Sequence, residues 1–254
     1  MNNNNYLICG LMVLILILFI VDICKKKKDK EGFLSITPFG NYQDIRLLKK
    51  DIRSLKSDFN LHTFKSTARA HTACFTSNSI LQTPKGSKYM KDLEIGDYIL
   101  GHHNGKDKYV KIKGWIHKVD NKECEMLEIT TENNNKLKMS ERHLLPRNTK
   151  DNYIFAGELK VGDTLFLTNN KKTKVKSIKL YKTNGYYAPY CSEGLIYVDG
   201  VLAHIFAEIK NPDKYLPMYD NLFNFYENTF EEKITNDYMH PVAKMSSVLL
   251  PFIN

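Results

Sequence analysis

The sequence predicts a mostly β protein of pseudo-two-fold build. A membrane-spanning helix and a short helical stalk are expected before it, and a helical tail after it. Three observations carry this. Residues 6–21 are wholly apolar. From Ala73 onward, short β-rich runs alternate with Gly, Asn and Asp turns. Within that region one turn motif occurs twice, 66 residues apart.

The composition narrows the class. The 254 residues are 43% apolar and 26% charged, enough for a real core. Net charge is +9, from 32 Lys and only 5 Arg. Surfaces that clamp phosphate or read bases lean on Arg, so no nucleic-acid partner is expected. Cys9, Cys24, Cys74, Cys124 and Cys191 are odd in number and widely spaced. They form neither a zinc pattern nor a disulfide framework, and no metal or other cofactor is expected.

Residues 1–30 read as an anchor. The run Tyr6 to Val21 continues through Asp22-Ile23-Cys24 and meets the cluster Lys25-Lys26-Lys27-Lys28-Asp29-Lys30. As a helix of nineteen residues it would span roughly 28 Å, about one hydrocarbon core. The start, MNNNN, has no basic n-region, and no small-residue cleavage site follows, so an uncleaved single-pass anchor is expected. The lysines on its C-terminal side place the rest of the chain in the cytoplasm by the positive-inside rule.

Residues 31–72 read as stalk and linker. Ile45, Leu48, Ile52, Leu55 and Phe59 follow a 3-4-3-4 spacing, an a/d seam of about two heptads. That seam suits a homodimer through the stalk, or equally a short amphipathic helix packed on its own chain.

Residues 73–209 form the β domain. Leu93-Glu-Ile-Gly96-Asp97 and Leu159-Lys-Val-Gly162-Asp163 share one pattern, each followed by an apolar strand. Gly before Asp implies a tight turn feeding each strand, and two copies imply related halves. Residues 210–254 form the tail. Tyr215, Leu216, Tyr219, Leu222, Phe223, Tyr226 and Phe230 lie at helical spacing. Such a stripe suits a helix docked on its own domain, or a surface that recruits lipid.

Several motifs then combine into a resemblance. Ala73-Cys74-Phe75 precedes a strand, the Gly-Asp turns are duplicated, and Ser140-Glu-Arg-His143-Leu-Leu follows. Gly185-Tyr-Tyr-Ala-Pro189 leads to Glu193-Gly194-Leu-Ile-Tyr-Val198-Asp-Gly-Val-Leu-Ala203. From about Ala73 to Ile209 the chain resembles the Hint domain of Hedgehog proteins, the autoprocessing module shared with inteins. Residues 1–73 show no counterpart of the Hedgehog signalling domain. Hedgehog processing belongs to the secretory pathway, so the resemblance and the lysine cluster point to opposite sides of the membrane.

The resemblance implies self-cleavage between Ala73 and Cys74. The Cys74 thiol would attack the preceding carbonyl and form a thioester, an N-to-S acyl shift. Cys suits this role because its thiolate is accessible near neutral pH. Ser140-x-x-His143 matches the family's Thr-x-x-His, with Ser for Thr. Its hydroxyl would hold the scissile amide, and His143 would protonate the nitrogen. A second nucleophile then resolves the thioester: a sterol hydroxyl in Hedgehog proteins, and here water, a sterol or another lipid alcohol. The Asp that aids this step falls at His117, which can still act as a base; with the gap moved, Asp120 is the match. The family's late Cys falls at Ile205. Cys191 reads as structural. Asn254 has no following Cys, Ser or Thr, so cleavage rather than splicing is expected. The competing reading is a non-catalytic membrane-anchored adaptor with a degenerate fold.

Overall fold

The computed structural model describes residues 74–209, 211–229, 234 and 237–244. The expected anchor and stalk, Ala73 and residues 245–254 lie outside the described residues. Among those described, no helix is long and apolar enough to cross a membrane.

Both copies of the repeated motif fold alike, down to their hydrogen bonds. The Asp97 amide donates to the Glu94 carbonyl (3.1 Å), and the Asp163 amide to Lys160 (3.1 Å). Each Asp carboxylate accepts the amide three residues back, Glu94 in one copy and Lys160 in the other, both at 2.9 Å. Gly96 and Gly162 sit at φ +97° and +93°. A type II turn requires positive φ at this third position, which glycine alone meets without strain. Each turn is then pinned to a distant strand. The Gly96 amide donates to Ile112 and the Gly162 amide to Val175, both at 2.8 Å. A 3-10 turn precedes each motif, at Met90–Asp92 and Ala156–Glu158. The two motifs are therefore structural repeats of one another.

The strands run in chain order as β1 (Phe75–Thr76), β2 (Ile80–Thr83), β3 (Gly86–Tyr89), β4 (Tyr98–His103), β5 (Lys106–Lys111), β6 (Gly114–Thr131) and β7 (Lys136–Met139). They continue as β8 (Leu144–Pro146), β9 (Tyr153–Phe155), β10 (Thr164–Phe166), β11 (Lys172–Tyr190), β12 (Leu195–Val198) and β13 (Val201–His204). Helix α1 (Pro212–Thr229) and β14 (Asp237–Met239) follow. One sheet has the order β10-β11-β1-β7-β6-β14, with β11 also paired to β6; a second has the order β13-β12-β4-β5. Asn104-Gly105 closes the β4–β5 hairpin with both residues at positive φ (50° and 75°), the type I′ geometry expected of Asn-Gly.

The antiparallel pair β6–β11 is the spine. It pairs from Val175↔Thr131 to Tyr190↔Gly114. Alternation along Lys172–Lys176 buries Thr173 and Val175 and exposes the lysines between them. A bulge between Asn184 and Tyr186 breaks the register. Gly185 occupies it at φ +81°, and a Cβ there would meet the Asp120 carbonyl oxygen at 2.7 Å. Just past the bulge, Tyr186 and Tyr187 of β11 pair with Thr76 and Phe75 of β1. Phe75, Leu81, Met90, Ile99, Trp115, Met126 and Ile129 fill the core beneath. Burying each such side chain stabilises the fold by about 1.5–3 kcal/mol.

The tail departs from the helical expectation. Its first part is helix α1, which buries Tyr219 and Phe223 and half-buries Tyr215, Leu216, Leu222 and Tyr226 against the domain. That is the docked alternative for the aromatic stripe. Beyond it the chain forms β14, which joins the main sheet beside β6. The boundary placed after Ile209 therefore does not end the β structure. Tyr238 alternates in-and-out with its exposed neighbours Asp237 and Met239, a period of two that three residues are too few to reveal in sequence.

Candidate active site

Cys74 lies at the mouth of β1, which is held between β11 and β7 by Phe75↔Tyr187 and Phe75↔Met139. It is fully buried. Its amide N–H donates to Ser140 Oγ at 3.1 Å. The Ser140 amide returns a bond to the Cys74 carbonyl at 3.0 Å. Ser140 directly follows β7, so the pairing of β7 with β1 brings the hydroxyl to the Cys74 nitrogen across 66 residues of chain.

On the thiol side stands His117, on β6. Its Nδ1 is 3.0 Å from Cys74 Sγ. Pairing with Ala188 on β11 sets its position, and the Tyr186 ring meets it edge-on at 6.2 Å. Burial pulls the His117 pKa down to about 4. Burial, with the nearby Cys124 and Glu208, holds the Cys74 thiol well above its ordinary value. At neutral pH both groups are therefore uncharged, and the thiol donates to Nδ1. Asp120, the other reading of this position, is engaged elsewhere. Its carboxylate accepts the Tyr187 hydroxyl at 2.5 Å. Three residues apart on β6, His117 and Asp120 face opposite sides of the sheet.

His143 is fully buried. Its amide donates to the Ser140 carbonyl at 3.1 Å, so the two residues close one turn. Its ring lies against Phe75, the neighbour of Cys74, with centroids 4.2 Å apart. Nε2 is 2.6 Å from the His204 carbonyl oxygen. A carbonyl only accepts, so Nε2 carries the hydrogen and the tautomer is set.

The structure thus gathers Cys74, Ser140, His117 and His143 around the end of β1. Ala73, on the far side of the scissile bond, lies outside the described residues. Cys191 and Cys124 are buried free thiols; Cys124 Sγ donates to the Thr183 carbonyl at 3.8 Å. Ile205, at the position of the family's late Cys, is core. Among the described residues no group of three or more His, Cys, Asp or Glu side chains converges as a metal site.

Two contributors escaped the sequence. His204 supplies the carbonyl that orients His143, and its own Nδ1 accepts the Phe206 amide at 2.9 Å. Glu208, at φ +67°, raises the Cys74 thiol through its charge, and its carboxylate lies 3.7 Å from Arg142 Nε. The run Ala203-His-Ile-Phe-Ala207 marked the segment, but a backbone carbonyl carries no residue-type signal.

A model of the Hint module matches residues 57–222. Warthog protein 1 of Caenorhabditis elegans is 30% identical over 138 residues, covering 52% of this chain and 28% of that protein. Protein qua-1 of the same organism is 26% identical over 214 residues, covering 70% of this chain and 18% of its own length. The chain thus spans less than a third of the length of these relatives. Among solved structures, the gp41-1 intein aligns with a TM-score of 0.45 at 23% identity, covering 52% of this chain and 98% of the intein. A DnaB intein from Synechocystis aligns with a TM-score of 0.47 at 12% identity, over 52% of this chain and 97% of that one.

Proposed function

The chain belongs to the Hint family, and from that premise we propose that it cuts its own backbone between Ala73 and Cys74. The observation that carries this is the double engagement of one residue. The Cys74 thiol touches a base at His117 Nδ1, while its amide nitrogen is held by Ser140 Oγ. A residue buried only for packing needs neither.

In the first step the thiol proton passes to His117 as Sγ adds to the Ala73 carbonyl carbon. The C–N bond then breaks, the nitrogen of Cys74 takes a proton from His143, and Ala73 is left as a thioester on Sγ. Nε2–H stays with the His204 carbonyl, so His143 serves as this acid only once Nδ1 has taken up a proton, and that Nδ1 proton is the one it gives. Ser140 keeps the amide oriented through the change. In the second step His117, having released the first proton, takes one from the attacking water, sterol or other lipid alcohol; the bond from the carbonyl carbon to Sγ breaks, and that proton returns to the departing Cys74 thiolate. The acceptor thus becomes joined to residues 1–73, which carry the anchor and stalk. A spanning helix already anchors that fragment, so a sterol adds little membrane affinity; hydrolysis or a different acceptor is favoured over sterol transfer. The uncut chain is a single-pass membrane protein, and residues 1–73 retain the seam for a homodimer.

Intact mass spectrometry of the full chain in detergent, with and without dithiothreitol, tests this. A fragment beginning at Cys74 is expected, and the mass added to residues 1–73 identifies the acceptor. One unchanged mass, with thiol or sterol present, would establish the adaptor instead.

A further inference from the structure

The strand that carries His117 is gripped from its far side by the C-terminal segment. On one side β6 pairs with β11 through Ala188↔His117; on the other, β14 pairs with it through Asp237↔Val119, Tyr238↔Lys118 and Met239↔His117. The ladder continues one step beyond, where the His240 amide donates to the Ile116 carbonyl at 2.9 Å. Without β14, His117 would sit on a sheet edge.

Helix α1 holds the same stretch from above. The Phe223 ring stacks on His240 at 4.2 Å and 18°, and on Tyr190 at 4.2 Å. It presses so closely on Gly114 that a Cβ there would lie 2.5 Å from the tip of the ring. One residue earlier, Lys113 Nζ donates to Asp220 of the helix at 3.0 Å, and Asp220 also accepts the Tyr190 hydroxyl at 2.8 Å. These contacts bear on Lys113–Val119 and on Tyr190, or join the two elements through Phe223 and His240; α1 also reaches Ser192 through Asp220 and Phe206 through Tyr219.

We propose that α1 and β14 form a clamp that positions His117 for removal of the Cys74 proton, with Phe223 and His240 as its positioning residues. The inference rests on the self-cleavage proposed above and extends it. The C-terminal segment becomes a working part of the thiol step, not solely a tail for an acceptor.

Steric compensation tests it in the full chain. Gly114→Ala forces the new methyl into the Phe223 ring and displaces the strand. Thiol-induced cleavage should slow by about tenfold or more at a temperature where circular dichroism shows the domain folded. Adding Phe223→Leu removes the ring tip and should bring the rate back toward wild type. A wild-type rate in Gly114→Ala, or a slow variant that Phe223→Leu fails to rescue, overturns the clamp. If Gly114→Ala does not fold, His240→Ala gives the same reading. It should slow thioester formation, and His240→Phe, which keeps a flat ring on Phe223, should restore it. A wild-type rate in His240→Ala overturns the proposal. Failure of the underlying reading looks different: the unsubstituted chain then gives no cleavage that Cys74→Ala removes.

Discussion

His117 Nδ1 lies 3.0 Å from Cys74 Sγ, closer than a role confined to the acceptor step would need. By family resemblance the position belongs to the base that activates the second nucleophile. In the self-cleavage proposed above, its contact with the first nucleophile gives it the thiol proton as well. His117→Ala should therefore slow thioester formation by at least roughly 100-fold, the low end for general acid–base catalysis. Dithiothreitol-induced cleavage measures that step alone. A normal rate there with impaired hydrolysis would confine His117 to the second step.

Cys74→Ala should abolish cleavage, since no other described thiol stands at the Ser140 hydroxyl. Gel mobility of the full chain reads this directly. Persistent cleavage at the same bond would remove the acyl shift from the mechanism.

Ser140→Ala leaves the buried Cys74 amide without its side-chain acceptor, a loss of about 1–3 kcal/mol. Ser140→Thr keeps the oxygen. The alanine variant should cleave more slowly and the threonine variant near normally. His143→Ala should slow the first step by roughly 100-fold or more, because the departing nitrogen loses its acid.

Stability should fall in mild acid. The folded pKa of His117, about 4, lies below its unfolded value near 6.5. The unfolded chain thus binds the proton first. The neutral ring's contribution is complete above pH 6.5 and is lost as pH falls toward 4, by up to about 3 kcal/mol. Fully buried His204, its pKa also lowered by burial, acts in the same direction. Urea unfolding at pH 7 and pH 4.5 should show this drop, and His117→Ala should lessen it.

Gly185→Ala should destabilise the domain by about 1–3 kcal/mol, because φ +81° strains any L residue and its Cβ meets the Asp120 carbonyl. A thermal melt compared with Gly157→Ala, whose Cβ would meet only the flexible Glu141 side chain, separates backbone strain from simple crowding.

Turns and hairpins were legible in the chain because their causes are local. Gly96-Asp97 and Gly162-Asp163 close on their own neighbours, and Asn104-Gly105 needs only two positive φ angles. Cys74, Ser140 and His143 were legible as a motif, and the structure places Ser140 on the Cys74 amide nitrogen. The choice between His117 and Asp120 was not. The two lie three residues apart on β6 and so face opposite sides of the sheet, and the register Ala188↔His117 decides which side meets the thiol. Nor was β14, whose Asp237, Tyr238 and Met239 become a strand only by completing the edge of β6. Backbone torsion and side-chain alternation act over a few residues, so the order of residues states them outright. The separation of 43 positions between Cys74 and His117 is bridged by sheet register, and register exists only once both strands and the C-terminal segment are packed.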